Sequence, residues 1–144
     1  MSAFKPIFIA AVFGVAWMIA QQVAMAQPFK GEYKAILNCA KLPFTEAPLD
    51  NEPVTLRILN GKASYARTLY AENRKTVVGE ETGGGTVAAD GTIVLTGGWT
   101  GRRDSLKASY HGKLGAGMAI LNGRHVVTFQ GKEYDRSCTL TVKR

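Results

Sequence analysis

The chain has 144 residues, of which 46% are hydrophobic and 20% charged, a balance that excludes a disordered or fibrous protein and suits one folded domain. Its formal charge of +7 is spread along the sequence, apart from short pairs such as Arg74-Lys75 and Arg102-Arg103, so it argues for solubility rather than for a nucleic-acid-binding stripe. Two cysteines and two histidines without close spacing exclude both a cysteine-rich scaffold and a zinc motif.

Residues 1–26 have the form of an export signal. Lys5 precedes the apolar run Pro6–Ala20, which is shorter than the roughly 20 residues of a membrane-spanning helix. Ala24 and Ala26 then supply the small-x-small pattern at which a signal peptidase cuts. Cleavage after Ala26 is expected to release residues 27–144 as a single domain into the periplasm or the extracellular space. No membrane span and no nucleic-acid partner are expected after that, and the domain is expected to be a monomer.

From residue 28 onward the chain reads as strands separated by turns. Segments 28–38, 53–59, 62–70, 75–81, 84–89, 92–98, 105–114, 116–121, 124–130 and 133–143 are rich in Val, Ile, Thr and Tyr. Some of them merge, for a total of eight to ten strands. In the first, Phe29, Tyr33, Ala35, Leu37 and Cys39 share one face, and Lys30, Glu32 and Lys34 share the other. The connection Ala40–Pro53 contains three prolines, which give it a fixed path either over one mouth of the fold or across its outside. Asn60-Gly61 predicts a two-residue hairpin that sets Ile58 opposite Ala63 and Leu56 opposite Tyr65. Gly83-Gly84-Gly85 predicts a bend or bulge at a sheet corner, and Asp90-Gly91 the next turn. The sequence Ile58–Gly61 recurs at Ile120–Gly123 with no wider similarity, which predicts a second hairpin at Asn122-Gly123 that sets His125 opposite Ile120 on the inward, otherwise apolar face, half-exposed beside the turn. In the last strand Tyr134, Arg136, Cys138, Leu140 and Val142 alternate with polar residues, after a turn at Gln130-Gly131.

One apolar and one polar face per strand is the pattern of an antiparallel sheet wrapped around a core. Cys39 and Cys138 are expected to form one disulfide, which brings the first and last strands together. That closure predicts an all-β, small antiparallel up-and-down β-barrel; a β-sandwich is the alternative. The plan resembles the calycin-like barrels of lipocalins and avidins through Gly31-Glu32-Tyr33 in the first strand, the successive hairpins, and Arg136 on the inward face of the last strand. Tyr33 stands where lipocalins carry a tryptophan, and the resemblance implies a late arginine packed over that ring.

Candidate site residues are the polar groups on inward faces. Arg67, Tyr65, Arg136 and Tyr110 would line an interior site for a small anionic or amphipathic ligand. The plainer reading is that the arginines pair with Glu80, Glu81 or Asp135 and that the tyrosine hydroxyls reach solvent at the rim. Trp99, Arg102 and Arg103 in the glycine-flanked stretch Thr96–Asp104 would instead present a binding loop to an envelope or extracellular protein, unless Trp99 folds back to plug the barrel end. Glu80 and Glu81 are neighbours on a strand and so point to opposite faces, which rules them out as a facing acid pair. With no Gly-x-Ser-x-Gly, His-Glu-x-x-His or phosphate-loop motif, no enzymatic activity, cofactor or metal is expected.

Overall fold

The computed structural model describes residues 28–144; the export signal and cleavage point expected over 1–26 lie outside them. Eight antiparallel strands follow one another round a closed barrel: β1 (Gly31–Cys39), β2 (Leu49–Leu59), β3 (Lys62–Tyr70), β4 (Val77–Val87), β5 (Thr92–Thr100), β6 (Ser105–Lys113), β7 (Ala119–Phe129) and β8 (Lys132–Lys143). β1 pairs with β8 from Lys34–Lys143 to Cys39–Cys138 and closes the seam, where the disulfide joins the last pair of the ladder. The expected up-and-down barrel is therefore formed, and the sandwich is not.

The ten expected segments merge into eight strands, the lower end of the expected eight to ten, because two glycine signals lie inside strands. β4 runs through Gly83-Gly84-Gly85 in unbroken register with β3 and β5, so no corner or bulge forms there. Gly83 instead faces Tyr65 directly across the ladder, and a Cβ on it would run into that ring and into Gly97. β7 likewise runs straight through Asn122-Gly123; its partner across β6 is Tyr110, whose ring covers Gly123. An aromatic ring laid over a cross-strand glycine fills the gap left by the missing side chain. The chain reverses earlier, over residues 114–118, while the hairpin at Asn60-Gly61 forms in the expected register, with Ile58 opposite Ala63 and Leu56 opposite Tyr65. Asn60 and Gly61 both have positive φ, at 52° and 72°, as a tight two-residue turn between twisted strands requires.

The loss of the second turn sends one expected inward side chain out to solvent and buries another. In a hairpin Ile120 and His125 would share a face; on one continuous strand they lie on opposite faces. Ile120 is exposed, and His125 is fully buried rather than half-exposed.

Inside, the barrel is divided along its axis. The end that holds the start of β1 and the β2–β3, β4–β5 and β6–β7 turns is apolar, packed with Phe29, Leu56, Ile58, Ile93, Leu114 and Leu121 among others. The other end holds residues 40–48, 71–76, 101–104 and 130–131 as connections, and it is there that the buried polar residues Glu52, Arg67, Glu81 and His125 are found, among apolar ones such as Leu42 and Leu106. There the β1–β2 loop lays Phe44 over the mouth, stacked on Phe129 with ring centroids 4.3 Å apart and edge-on to Tyr134 at 5.0 Å. Thr45 holds that loop in shape by closing hydrogen bonds with the backbone of Leu42. The arginine-over-ring contact that a lipocalin plan implies is not made, because Tyr33 and Arg136 belong to opposite ends of the β1–β8 seam.

Candidate functional site

Polar side chains from five strands meet in the interior near the Phe44 mouth. Glu81 of β4 is at their centre and is fully buried. It accepts hydrogen bonds from Tyr65 Oη at 3.1 Å, from Tyr110 Oη at 3.2 Å, and from Arg67 Nε and Nη2 at 3.0 and 2.5 Å. A buried carboxylate is tolerable only when paired and hydrogen-bonded, and here four donors meet that need. Tyr65 and Tyr110 also pack edge to face, with centroids 5.6 Å apart.

The network continues through His125. Its Nε2 is 2.6 Å from Tyr110 Oη, and its Nδ1 is 3.3 Å from Arg136 Nη2. Arginine has donors only, so Nδ1 must present its lone pair to Arg136, and the ring proton of the neutral imidazole belongs on Nε2. That orientation gives one consistent chain of donors: Arg136 to His125 Nδ1, His125 Nε2–H to Tyr110 Oη, and Tyr110 O–H to Glu81. Burial pushes the His125 pKa down to about 3, helped by the Arg136 and Arg67 charges, so the ring is neutral near pH 7. Burial, followed by the Glu81 charge, raises both tyrosines well above the usual phenol range, so they act as hydrogen-bond donors and not as phenolates.

Charge in this cluster does not balance. Arg67 and Glu81 cancel, His125 is neutral, and Arg136 has no carboxylate within ion-pair distance among the described residues. Its Nε is buried without a hydrogen-bond partner in the chain. Burial and the nearby Arg67 charge together depress its pKa. Asp135, a candidate partner by sequence, points outward and binds Arg124.

Arg136 also forms part of the wall of a cavity of about 390 Å³ at the mouth, between the β1–β2 and β3–β4 loops. Pro48, Leu49 and Tyr70 supply apolar wall, Glu46 and Glu72 carboxylates, and Arg74 a guanidinium that pairs with the buried Glu52.

The structure therefore brings Tyr65, Arg67, Tyr110 and Arg136 into one network, but their roles differ. The first three are committed to Glu81, as the plainer reading of the arginines had it, although the tyrosine hydroxyls are buried and do not reach solvent. Only Arg136 among the four lines the mouth cavity. Glu81 and His125 complete the site. Glu81 was legible only as one of three acids that could pair the arginines, and His125 was legible as an inward residue but not as a fully buried one, because a turn was expected at the glycine near it. Trp99 lies in β5 rather than on a loop, half-buried, with its ring over Gly79 and Gly101. Arg102 and Arg103 sit on the β5–β6 connection and are exposed.

Cys39, Cys138 and His125 form a second grouping, with donor atoms all within 4.8 Å of one another. Comparison of the chain with protein-family models, curated proteins and solved structures finds no match.

Proposed function

We propose that this is an exported, non-enzymatic barrel that binds a small anionic or amphipathic ligand, with Arg136 as the anchor at the Phe44 mouth. One observation carries the reading: Arg136 keeps a guanidinium charge without an acid partner in the wall of a cavity, while its neighbour Arg67 is fully paired. An uncompensated, half-buried cation favours an anion that enters from solvent. Leu49, Pro48 and Tyr70 give an apolar part of the ligand a surface to rest on. Tyr65, Arg67 and Tyr110 serve the site indirectly, by fixing Glu81 and, through Tyr110, the His125 ring on which Arg136 is positioned.

Native mass spectrometry of the gently purified protein is the test. It is expected to reveal a bound small molecule, and Arg136→Gln is expected to weaken rebinding at least tenfold with the fold unchanged. A folded Arg136→Gln protein that retains the ligand at full affinity overturns the reading.

A protein-binding role draws on the exposed Arg102 and Arg103 beside Trp99. It is the weaker reading, because the Trp99 ring is occupied with Gly79 and Gly101 and is not displayed. Capture of an acidic protein partner that is lost on replacing both arginines would favour it.

A further inference from the structure

We propose that Cys39, Cys138 and His125 form a three-coordinate copper(I) site when their disulfide is reduced. The three side chains come from β1, β8 and β7 and all are buried. Cys39 Sγ is 3.7 Å from His125 Nδ1. A metal about 2.3 Å from a thiolate and about 2.0 Å from an imidazole nitrogen holds those two donors roughly 3.5–3.8 Å apart. One edge of the coordination triangle is thus already set, and opening the sulfur–sulfur bond supplies the other two.

The histidine is prepared for such a role in two ways. Its lone pair is on Nδ1, 3.7 Å from the Cys39 sulfur, as the contact with the donor-only Arg136 requires, and copper(I) would take that lone pair in place of the Arg136 hydrogen bond. Its other nitrogen, Nε2, reaches Tyr110 and through it the Glu81 carboxylate. A metal-binding histidine commonly has its second nitrogen tied to a carboxylate in this manner, which fixes tautomer and ring orientation.

Charge selects the metal. Two thiolates, one neutral imidazole and copper(I) make a complex of charge −1, which the unpaired Arg136 guanidinium beside it neutralises. Zinc(II) on the same ligands would be neutral, would leave Arg136 uncompensated and would want a fourth ligand. The nearby carboxylate, Glu81, is on the wrong side of the ring, 3.9 Å from Nε2. Two soft thiolates in a water-poor barrel interior suit copper(I).

The redox step balances with a dithiol reductant. It gives two electrons and two protons to the Cys39–Cys138 bond and closes to its own disulfide. Copper(I) then displaces the two thiol protons. The site is inaccessible to metal in the disulfide form, so metal uptake is coupled to reduction. The site itself rests on the cysteine–histidine geometry, while the choice of metal shares the unpaired Arg136 with the anion-binding reading.

The experiment uses residues 27–144 with the disulfide reduced by a phosphine, freed of reductant without oxygen, and titrated with copper(I) against a chromophoric copper(I) chelator. One equivalent is expected to be bound by the reduced form and none by the oxidised form. Cys138→Ser is expected to abolish binding. His125→Gln and Tyr110→Phe are each expected to weaken it by at least tenfold, and far-ultraviolet circular dichroism checks that each variant stays folded. The proposal is overturned if the reduced wild type binds no copper(I), unfolds, or prefers zinc(II). It is equally overturned if folded His125→Gln and Tyr110→Phe both bind like wild type, since a loose cysteine pair alone would then account for the uptake.

Discussion

At Glu81 the fold commits an ionised group to full burial, and its stability depends on Arg67. Removing one partner of a buried pair leaves an uncompensated charge and typically costs about 3–5 kcal/mol, whereas removing both can be nearly neutral. Arg67→Met is therefore expected to destabilise the barrel by roughly that amount in urea unfolding, and Arg67→Met combined with Glu81→Gln by clearly less. Equal losses in the single and double variants would show that the pair is not coupled. His125 gives a pH dependence of definite sign. Its folded pKa of about 3 lies below the unfolded value of about 6.5, so the unfolded chain takes up a proton first as the pH falls. The contribution is intact above pH about 6.5 and is lost as the pH falls toward 3, for a total of roughly 3–5 kcal/mol. Tyr65 and Tyr110 act at the other edge: with folded pKa values raised, their contribution holds below pH about 10 and is lost above it. Unfolding free energy measured from pH 5 to 7 is expected to slope upward in the wild type and to be flatter in His125→Gln.

At the scale of strands, the glycines separate what the sequence revealed from what it hid. Alternation alone placed Tyr65, Arg67, Tyr110 and Arg136 on inward faces, because each lies on a strand whose apolar partners mark that face. His125 was placed on an inward face as well, but the strong hairpin signal at Asn122-Gly123 made it a half-exposed residue beside a turn and put Ile120 on the same face, whereas His125 is fully buried and Ile120 is exposed. The difference lies in Tyr110, thirteen residues before Gly123, whose ring needs the space above that glycine; no local pattern contains that information. The same holds for Gly83 beneath Tyr65. An inverted expectation about alanine follows. Gly123→Ala, in mid-strand, is expected to cost about 1–3 kcal/mol by pushing its Cβ into the Tyr110 ring. Gly117→Ala, in the actual β6–β7 connection, meets nothing within 4 Å and is expected to change stability by less than about 0.5 kcal/mol. Chemical denaturation of the two variants side by side checks both, and equal effects would contradict the ring-over-glycine account.

For the whole molecule, the decisive contact is the β1–β8 seam, the one junction that joins the two ends of the domain. Every other neighbouring pair of strands is consecutive in sequence and linked by a connection of nine residues or fewer, so the seam is the largest single loop closure in the fold. The Cys39–Cys138 bridge spans a sequence separation of 99 residues at that junction. This closure was legible from two cysteines on the inward faces of the first and last strands, but the neighbouring histidine and the division of the interior into apolar and polar halves were not, because both arise from register among strands distant in sequence. A cross-link over so long a loop stabilises by about 4–5 kcal/mol in the chain-entropy model. Reduction is therefore expected to lower the melting temperature markedly. The six-residue ladder from Lys34–Lys143 to Cys39–Cys138 and the apolar half of the core supply contacts along the seam that do not depend on the covalent bond. The reduced protein is accordingly expected to remain a closed barrel at 25 °C, with the β1–β8 amides still protected from hydrogen exchange, though less than in the oxidised form. Protection lost across β1 and β8 alone would mean that the bridge, rather than the ladder, keeps the seam shut, and that the polar mouth opens when the disulfide does.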